Sequence, residues 1–173
     1  MSKITICIPV YNGQDTIVRA VKSAVDQSYN NYKIVISNNC STDKTLYLLK
    51  ENFSEEINSR KIQLHNRDRN YGEINNFHYV VNISDSKYIL ILGADDYISN
   101  TCLELLYGKI NSEGVNVSCG NVDRITDLGR YIIRIPYFKN KRQVINNCCS
   151  SKKMNFLFCG LWDRELFVNT MSH

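Results

Sequence analysis

Tyr88-Ile89-Leu90-Ile91-Leu92-Gly93-Ala94-Asp95-Asp96-Tyr97 is the stretch on which the fold turns. An apolar run of strand length ends abruptly in Gly-Ala and two adjacent carboxylates. In an open α/β sheet, ligands bind beyond the carboxyl ends of the strands, so acids at this point sit where substrates arrive. Neighbouring carboxylates also repel, by about 1 kcal/mol in bulk water at about 4 Å and by about 4 kcal/mol at an effective dielectric near 20. Such a pair is tolerated at the surface, or is useful where a cation or proton lies between its members. Taken alone, the stretch fits two readings. One is a ligand site; the other is a solvated turn in which Asp96 or Ser99 caps the next helix.

Upstream, strands and helices alternate. Residues 4–8 are continuously apolar or β-branched, as in a strand buried on both faces, with Pro9 as its stop. Tyr11-Asn12-Gly13 makes a loop, Asp15 or Thr16 offers a cap, and Val18, Val21 and Val25 form a helical stripe running to about Gln27. Residues 32–36 are the second strand. The polar loop 37–43 ends in a cap at Ser41 or Thr42, with Asp43 in the first turn of a helix reaching about Ile57. Residues 61–65 read as a short third strand. Ile74, Phe77, Val80 and Val81 predict a third helix, 88–92 a fourth strand, and 101–110 a fourth helix with Leu103, Leu106 and Ile110 inward. Four strands and four helices in strict alternation predict a doubly wound α/β sheet of parallel βαβ units.

Downstream the rhythm changes. Residues 115–122 alternate, Asp127-Leu128-Gly129 signals a turn, and 131–135 read as another strand bounded by Pro136. Together they predict an antiparallel ribbon. Residues 138–155 are polar and basic, with one dense cationic group at Lys139-Asn140-Lys141-Arg142. Residues 156–162 are strongly apolar, and 164–168 begin a helix. The apolar segment fits packing under the sheet, or docking on a membrane.

Composition narrows the function classes. The 173 residues, with 21 basic and 17 acidic side chains, carry a net charge of +4. That suits an anionic small molecule or an acidic membrane surface and is too weak an excess for nucleic acid. Seven cysteines, an odd number, show no CxxC pair or His-flanked spacing. They read as reduced structural thiols in a cytoplasmic compartment. No run approaches the ~18 apolar residues of a membrane span, and the N-terminus, interrupted by Pro9, reads as a first strand rather than a signal peptide.

Four motifs in order resemble a known family. Pro9-Val10-Tyr11-Asn12 closes the first strand, and Ser41-Thr42-Asp43 follows the second. Asn70-Tyr71-Gly72 with Asn76 opens the third helix, and Gly93-Ala94-Asp95-Asp96 closes the fourth strand. The set resembles the family 2 glycosyltransferases of GT-A fold, strongly over residues 3 to about 110 and more weakly through Arg164-Glu165-Leu166. The resemblance implies a single GT-A-like domain over 1–173, with a nucleotide-sugar-binding half at 1–110 and a partial acceptor half at 111–173. It implies an inverting hexosyltransferase that moves sugar from a nucleotide-diphosphate sugar to a hydroxyl of a glycan or lipid-linked acceptor. The setting would be surface polysaccharide or glycolipid synthesis at the cytoplasmic, inner face of the membrane. It also implies Mg²⁺ or Mn²⁺. Negative charge grows on the departing diphosphate, and a hard cation held by one or two carboxylates stabilises it.

Carried over by position, Asp95 is the metal ligand and Asp96 its supporting acid. Pro9, Tyr11, Asn12 and Asn38 line the nucleotide pocket, and Asn70 shapes or contacts the donor loop. Three departures stand out. Ser37-Asn38-Asn39 lacks the family's base-pairing acid, Gly93 replaces the first acid of Asp-x-Asp, and Asn75 stands where an Arg is frequent. The family's general base, an Asp beyond the segment resembling 162–167, is expected past the end of this chain. Asp163 is the weak candidate within it. The alternative to an enzyme is a non-catalytic GT-A remnant that binds nucleotide sugar. A nucleotidyltransferase would need a Gly-rich loop with Lys or Arg after the first strand, and there is none.

Overall fold

The computed structural model of the chain describes residues 2–126, 129–133 and 160–171. The continuous β-branched run forms β1 (Ile4–Val10). It pairs in parallel with β2 (Tyr32–Asn38) on one side and with β4 (Tyr88–Ile91) on the other. β3 (Ile62–Asn66) joins the outer edge of β2, also in parallel. Antiparallel to β4 lies β8 (Gly160–Asp163), and β5 (Val117–Cys119) pairs antiparallel to β8. Among the described residues these six strands form one sheet, in the order β3-β2-β1-β4-β8-β5. A separate hairpin joins β6 (Val122–Thr126) to β7 (Gly129–Ile133).

The helices are α1 (Ile17–Val25), α2 (Thr45–Asn52), α3 (Ser54–Asn58), α4 (Glu73–Asn82), α5 (Cys102–Glu113) and α6 (Arg164–Met171). Alternate strand residues point to opposite faces, and the core divides accordingly. Ile4, Ile6, Ile8, Ile34, Ile36 and Leu90 pack with Ile17, Val21, Leu49, Leu103 and Leu106 from α1, α2 and α5. Cys7, Val35, Ile89, Ile91 and Trp162 pack with Phe77, Val80, Val81 and Phe167 from α4 and α6. This is the doubly wound, mostly parallel α/β sheet with an antiparallel C-terminal part that the pattern predicts. Gly114 ends α5 with φ of +64°, the left-handed conformation that glycine adopts without a Cβ penalty.

Several elements differ from expectation. β1 runs through Pro9 to Val10, because β2 continues to pair there after β4 has stopped at Cys7. The second helix is two, broken at Phe53, whose ring turns into the core. It is not capped by Ser41 or Thr42; Lys44 precedes it without a side-chain cap. Ile74 is exposed rather than part of the α4 stripe. The expected ribbon is divided. Residues 117–119 complete the main sheet against β8, and only 122–126 and 129–133 form the hairpin. Residues 160–162 lie in the sheet itself rather than under it. Pro136, the basic group at 139–142, the rest of 138–155, and 156–159 lie outside the described residues. Among the described residues, Cys7, Cys40 and Cys102 are free thiols.

The order β3-β2-β1-β4 reverses direction between β1 and β4. Such a switch point opens a crevice at the carboxyl ends of the strands. Residues 11–13 leave β1 there and residues 92–96 leave β4. A Cβ on Gly13 would lie 2.9 Å from Val10 Cγ2 and 3.7 Å from Ala94 Cβ. Glycine at 13 is what lets the first loop fold back over Val10, whereas Ala94 of the acid loop stands at ordinary van der Waals distance.

Candidate functional site

Three loops meet at the carboxyl ends of β1, β2 and β3, and hydrogen bonds, all but those to Asp43 between uncharged groups, join them. Asn12 has φ of +51°. Its backbone N–H donates to Ser41 Oγ at 2.9 Å, and its side-chain oxygen accepts the Thr42 N–H at 2.8 Å. Gly13 N–H donates to Thr45 Oγ1 at 2.9 Å, and Gln14 N–H to Asp43 Oδ2 at 3.0 Å. Burial pushes the Asp43 carboxyl up. Hydrogen bonds from the Thr45 hydroxyl and from the Thr45 and Gln14 N–H groups outweigh this and hold it below the ordinary carboxylate range. Ser41 and Thr42 thus tie the second loop to the first instead of capping a helix, whereas Asp43 does both, its Oδ2 holding Gln14 and its Oδ1 accepting the N–H of Thr45, the first residue of α2.

The second loop is tied to the third by asparagines. Asn38 Nδ2 donates to Asn66 Oδ1, and Asn38 Oδ1 accepts from Ser41 Oγ. Asn39 Nδ2 donates to Asn70 Oδ1 at 2.8 Å and to the Gly72 carbonyl at 3.2 Å, while its oxygen accepts the Tyr71 N–H. Asn76, buried in α4, accepts from Ser37 Oγ at 2.6 Å and donates to the Ser37 carbonyl at 3.0 Å.

The acid loop follows β4. The Asp96 N–H donates to the Gly93 carbonyl, closing a tight turn. A Cβ on Gly93 would lie 2.8 Å from Asp96 Oδ2 and 3.0 Å from Asp95 Oδ1. Both carboxylates therefore fold back over the same bare Cα. Burial raises the Asp96 carboxyl above its ordinary range. The Asp95 charge adds to this, and Arg19 opposes it. Arg19, which sequence reading missed, donates from Nη2 to the Asp95 carbonyl oxygen at 2.7 Å.

The sequence model of glycosyl transferase family 2 matches residues 5–167. The chain belongs to glycosyl transferase family 2. Among curated family members it is 30% identical over 119 residues to glycosyltransferase GlyA of Streptococcus pneumoniae serotype 4, covering 69% of this chain and 16% of GlyA. It is 27% identical over 127 residues to the succinoglycan biosynthesis protein ExoO of Rhizobium meliloti, covering 73% of this chain and 35% of ExoO. Relatives of the family thus act in polysaccharide synthesis, and others, such as a teichoic acid polymerase of Staphylococcus epidermidis, in teichoic acid synthesis. The fold matches that of S. aureus TarS residues 1–349 in complex with UDP, with TM-score 0.74 and 16% identity, over 98% of this chain and 49% of that one. It also matches the Pyrobaculum calidifontis mannosyltransferase PcManGT in complex with GDP-Man and Mn²⁺, with TM-score 0.61 and 19% identity, over 72% of this chain and 36% of that one. The chain therefore spans less than half the length of each of these relatives.

For a family 2 glycosyltransferase, the placement of the predicted donor residues divides them. Tyr11 is exposed at the end of β1, and Asp95 and Asp96 stand across the switch point from it. Asn12 and Asn70 sit at the same edge, with side chains already bonded to neighbouring loops. Asn38 is fully buried, and both ends of its amide are engaged. Pro9 is a strand residue paired with Ser37. Asp163 is elsewhere. It pairs with Tyr88, the first residue of β4, on the order of 20 Å along the strand from the acid loop. Its Oδ1 accepts the Leu166 N–H, as a helix cap does.

The acid pair suits a hard divalent cation. Two carboxylates converge on one point, and Mg²⁺ and Mn²⁺ take oxygen ligands and fill the remainder of an octahedral shell with phosphate and water.

Proposed function

We propose that this chain is the donor-binding part of an inverting hexosyltransferase of family 2, with Asp95 and Asp96 holding Mg²⁺ or Mn²⁺ against the diphosphate of a nucleotide sugar. The observation that carries this is the convergence of both carboxylates over Gly93 at the switch point, opposite the exposed Tyr11 ring. A bound divalent cation would neutralise the charge that develops on the departing diphosphate. Asp95 ligates and Asp96 supports. Tyr11 offers a face to the base, and Asn12, Asn38 and Asn70 hold the loops that frame it. The acceptor is a hydroxyl of a glycan or lipid-linked glycan in surface polysaccharide synthesis, reached from the cytoplasmic side with peripheral attachment to the membrane. Among the described residues, no helix is long and apolar enough to cross a membrane.

A second reading, in which the chain binds nucleotide sugar without transferring it, is favoured by the placement of Asp163 at the far end of β4. Calorimetric titration of UDP and GDP, with and without Mn²⁺, tests the donor site. The expected result is metal-dependent binding that Asp95→Ala weakens at least about tenfold; binding that ignores both metal and Asp95 overturns the reading. Transfer from a panel of nucleotide sugars then distinguishes the enzyme from the binding module.

A further inference from the structure

The acid pair lies in a segment without regular secondary structure, and something must hold it. Residues 92–101 make no helix or strand. Their backbone is gripped from α1. Arg19 Nη2 donates to the Asp95 carbonyl at 2.7 Å, and the guanidinium stands 5.1 Å from the centre of the Tyr97 ring. Ser23 Oγ accepts the Ile98 N–H at 3.2 Å. Gln27, two residues past the helix, donates from Nε2 to the Ser99 carbonyl at 2.7 Å and accepts the Leu103 N–H at 3.0 Å. The spacing of four places Arg19 and Ser23 on one face, and Gln27 continues their line. Three side chains thus fix the backbone at 95, 98, 99 and 103.

We propose that Arg19, Ser23 and Gln27 are positioning residues that hold the segment 95–103 from behind and so aim the two carboxylates at the donor. Arg19 is the link to the acids. By bonding the Asp95 carbonyl it fixes the peptide plane between Asp95 and Asp96, and this plane sets the direction in which both side chains leave the chain. Ser23 and Gln27 keep the rest of the loop from pulling that plane away. The aiming rests on the donor reading above, whereas the ordering of the loop does not.

The experiment has two arms on the full chain. Amide hydrogen exchange over residues 96–103 reads the ordering. Arg19→Ala and Ser23→Ala are expected to speed exchange about tenfold or more, whereas Ser23→Thr, which keeps the hydroxyl, and Lys22→Ala, which alters a neighbouring exposed cation, leave it near wild type. Calorimetry with UDP or GDP reads the aiming. Arg19→Ala is expected to lose about tenfold in Mn²⁺-dependent affinity while metal-free nucleotide binding stays within about twofold, and Arg19→Lys, which keeps a charged donor but not the planar guanidinium fork, recovers part of the loss. Unchanged exchange in Arg19→Ala overturns the proposal. So does an equal fall in metal-dependent and metal-free binding, since that is general loosening rather than aiming. A wild-type chain that binds nucleotide no better with Mn²⁺ overturns the donor reading, and exchange then decides the ordering alone.

Discussion

At the level of single residues, the most informative position is the one with no side chain. Gly93 stands where the resemblance would place the first acid of Asp-x-Asp, and two carboxylate oxygens crowd the space its Cβ would take. Those oxygens end mobile side chains, so a methyl group at 93 displaces them cheaply. Gly93→Ala is expected to keep the melting temperature within about 2 °C and to lower Mn²⁺ affinity about tenfold; a titration with unchanged affinity would refute the idea that convergence over Gly93 matters. Asp96 allows a test of opposite sign. Its carboxyl is raised by burial first and by Asp95 second, so the folded chain binds its proton more tightly than the unfolded chain does. Between the ordinary carboxylate pKa and the raised one, stability falls as pH rises. Asp96→Asn removes that loss. The variant should melt above wild type at pH 7, with the difference closing below about pH 4. The same change should weaken metal binding. A variant that melts below wild type at pH 7 would mean that the pair is already satisfied.

At the level of elements, the donor edge is built from loops that hold one another. Asn39 is nearly inaccessible to water, and its amide serves Asn70, Gly72 and Tyr71 at once. Asn39→Ala strands the Tyr71 N–H in a half-buried place, a loss of about 1–3 kcal/mol. Urea unfolding should show that loss, together with weaker nucleotide binding; an unchanged midpoint would mean that water replaces the amide. None of this wiring is legible in the sequence, since Asn12 and Thr42, or Asn39 and Asn70, are partners about thirty positions apart. What was legible is whatever depends on local period. β1, β2 and β4 are buried on both faces and read as continuous apolar runs, and Leu103, Leu106 and Ile110 mark α5 by their spacing. The break at Phe53 escaped, because a core aromatic continues the apolar pattern while its backbone ends the helix. The Arg19 and Ser23 spacing was visible as a polar stripe on α1, but a polar stripe ordinarily faces water. Only the fold shows that a loop lies against it.

At the level of the whole molecule, the question is whether residues 1–110 stand as a unit. The sheet argues that they do not. β8 arrives about seventy residues after β4 and lies directly against it, and among the described residues β5 pairs only with β8. Trp162 and Phe167 are almost wholly buried, with ring centres 5.5 Å apart, and Phe77 of α4 lies 6.0 Å from Phe167. The last described strand and helix therefore complete the core under β1 and β4, the strands that flank the acid loop. Removing a buried Trp side chain costs about 3–5 kcal/mol, against a total stability of about 5–15 kcal/mol for a domain. Trp162→Ala should therefore lose a large share of the urea-unfolding free energy and weaken nucleotide binding indirectly. A chain ended after Gly114 should fare worse. It loses Leu161, Trp162 and Phe167 from both core clusters and leaves β4 as a bare apolar edge. Such a fragment is expected to show no cooperative unfolding transition and to aggregate as it is concentrated. If it instead unfolds in one sharp transition and binds UDP with Mn²⁺ as the full chain does, residues 1–114 are an independent donor module, and the single-domain reading fails.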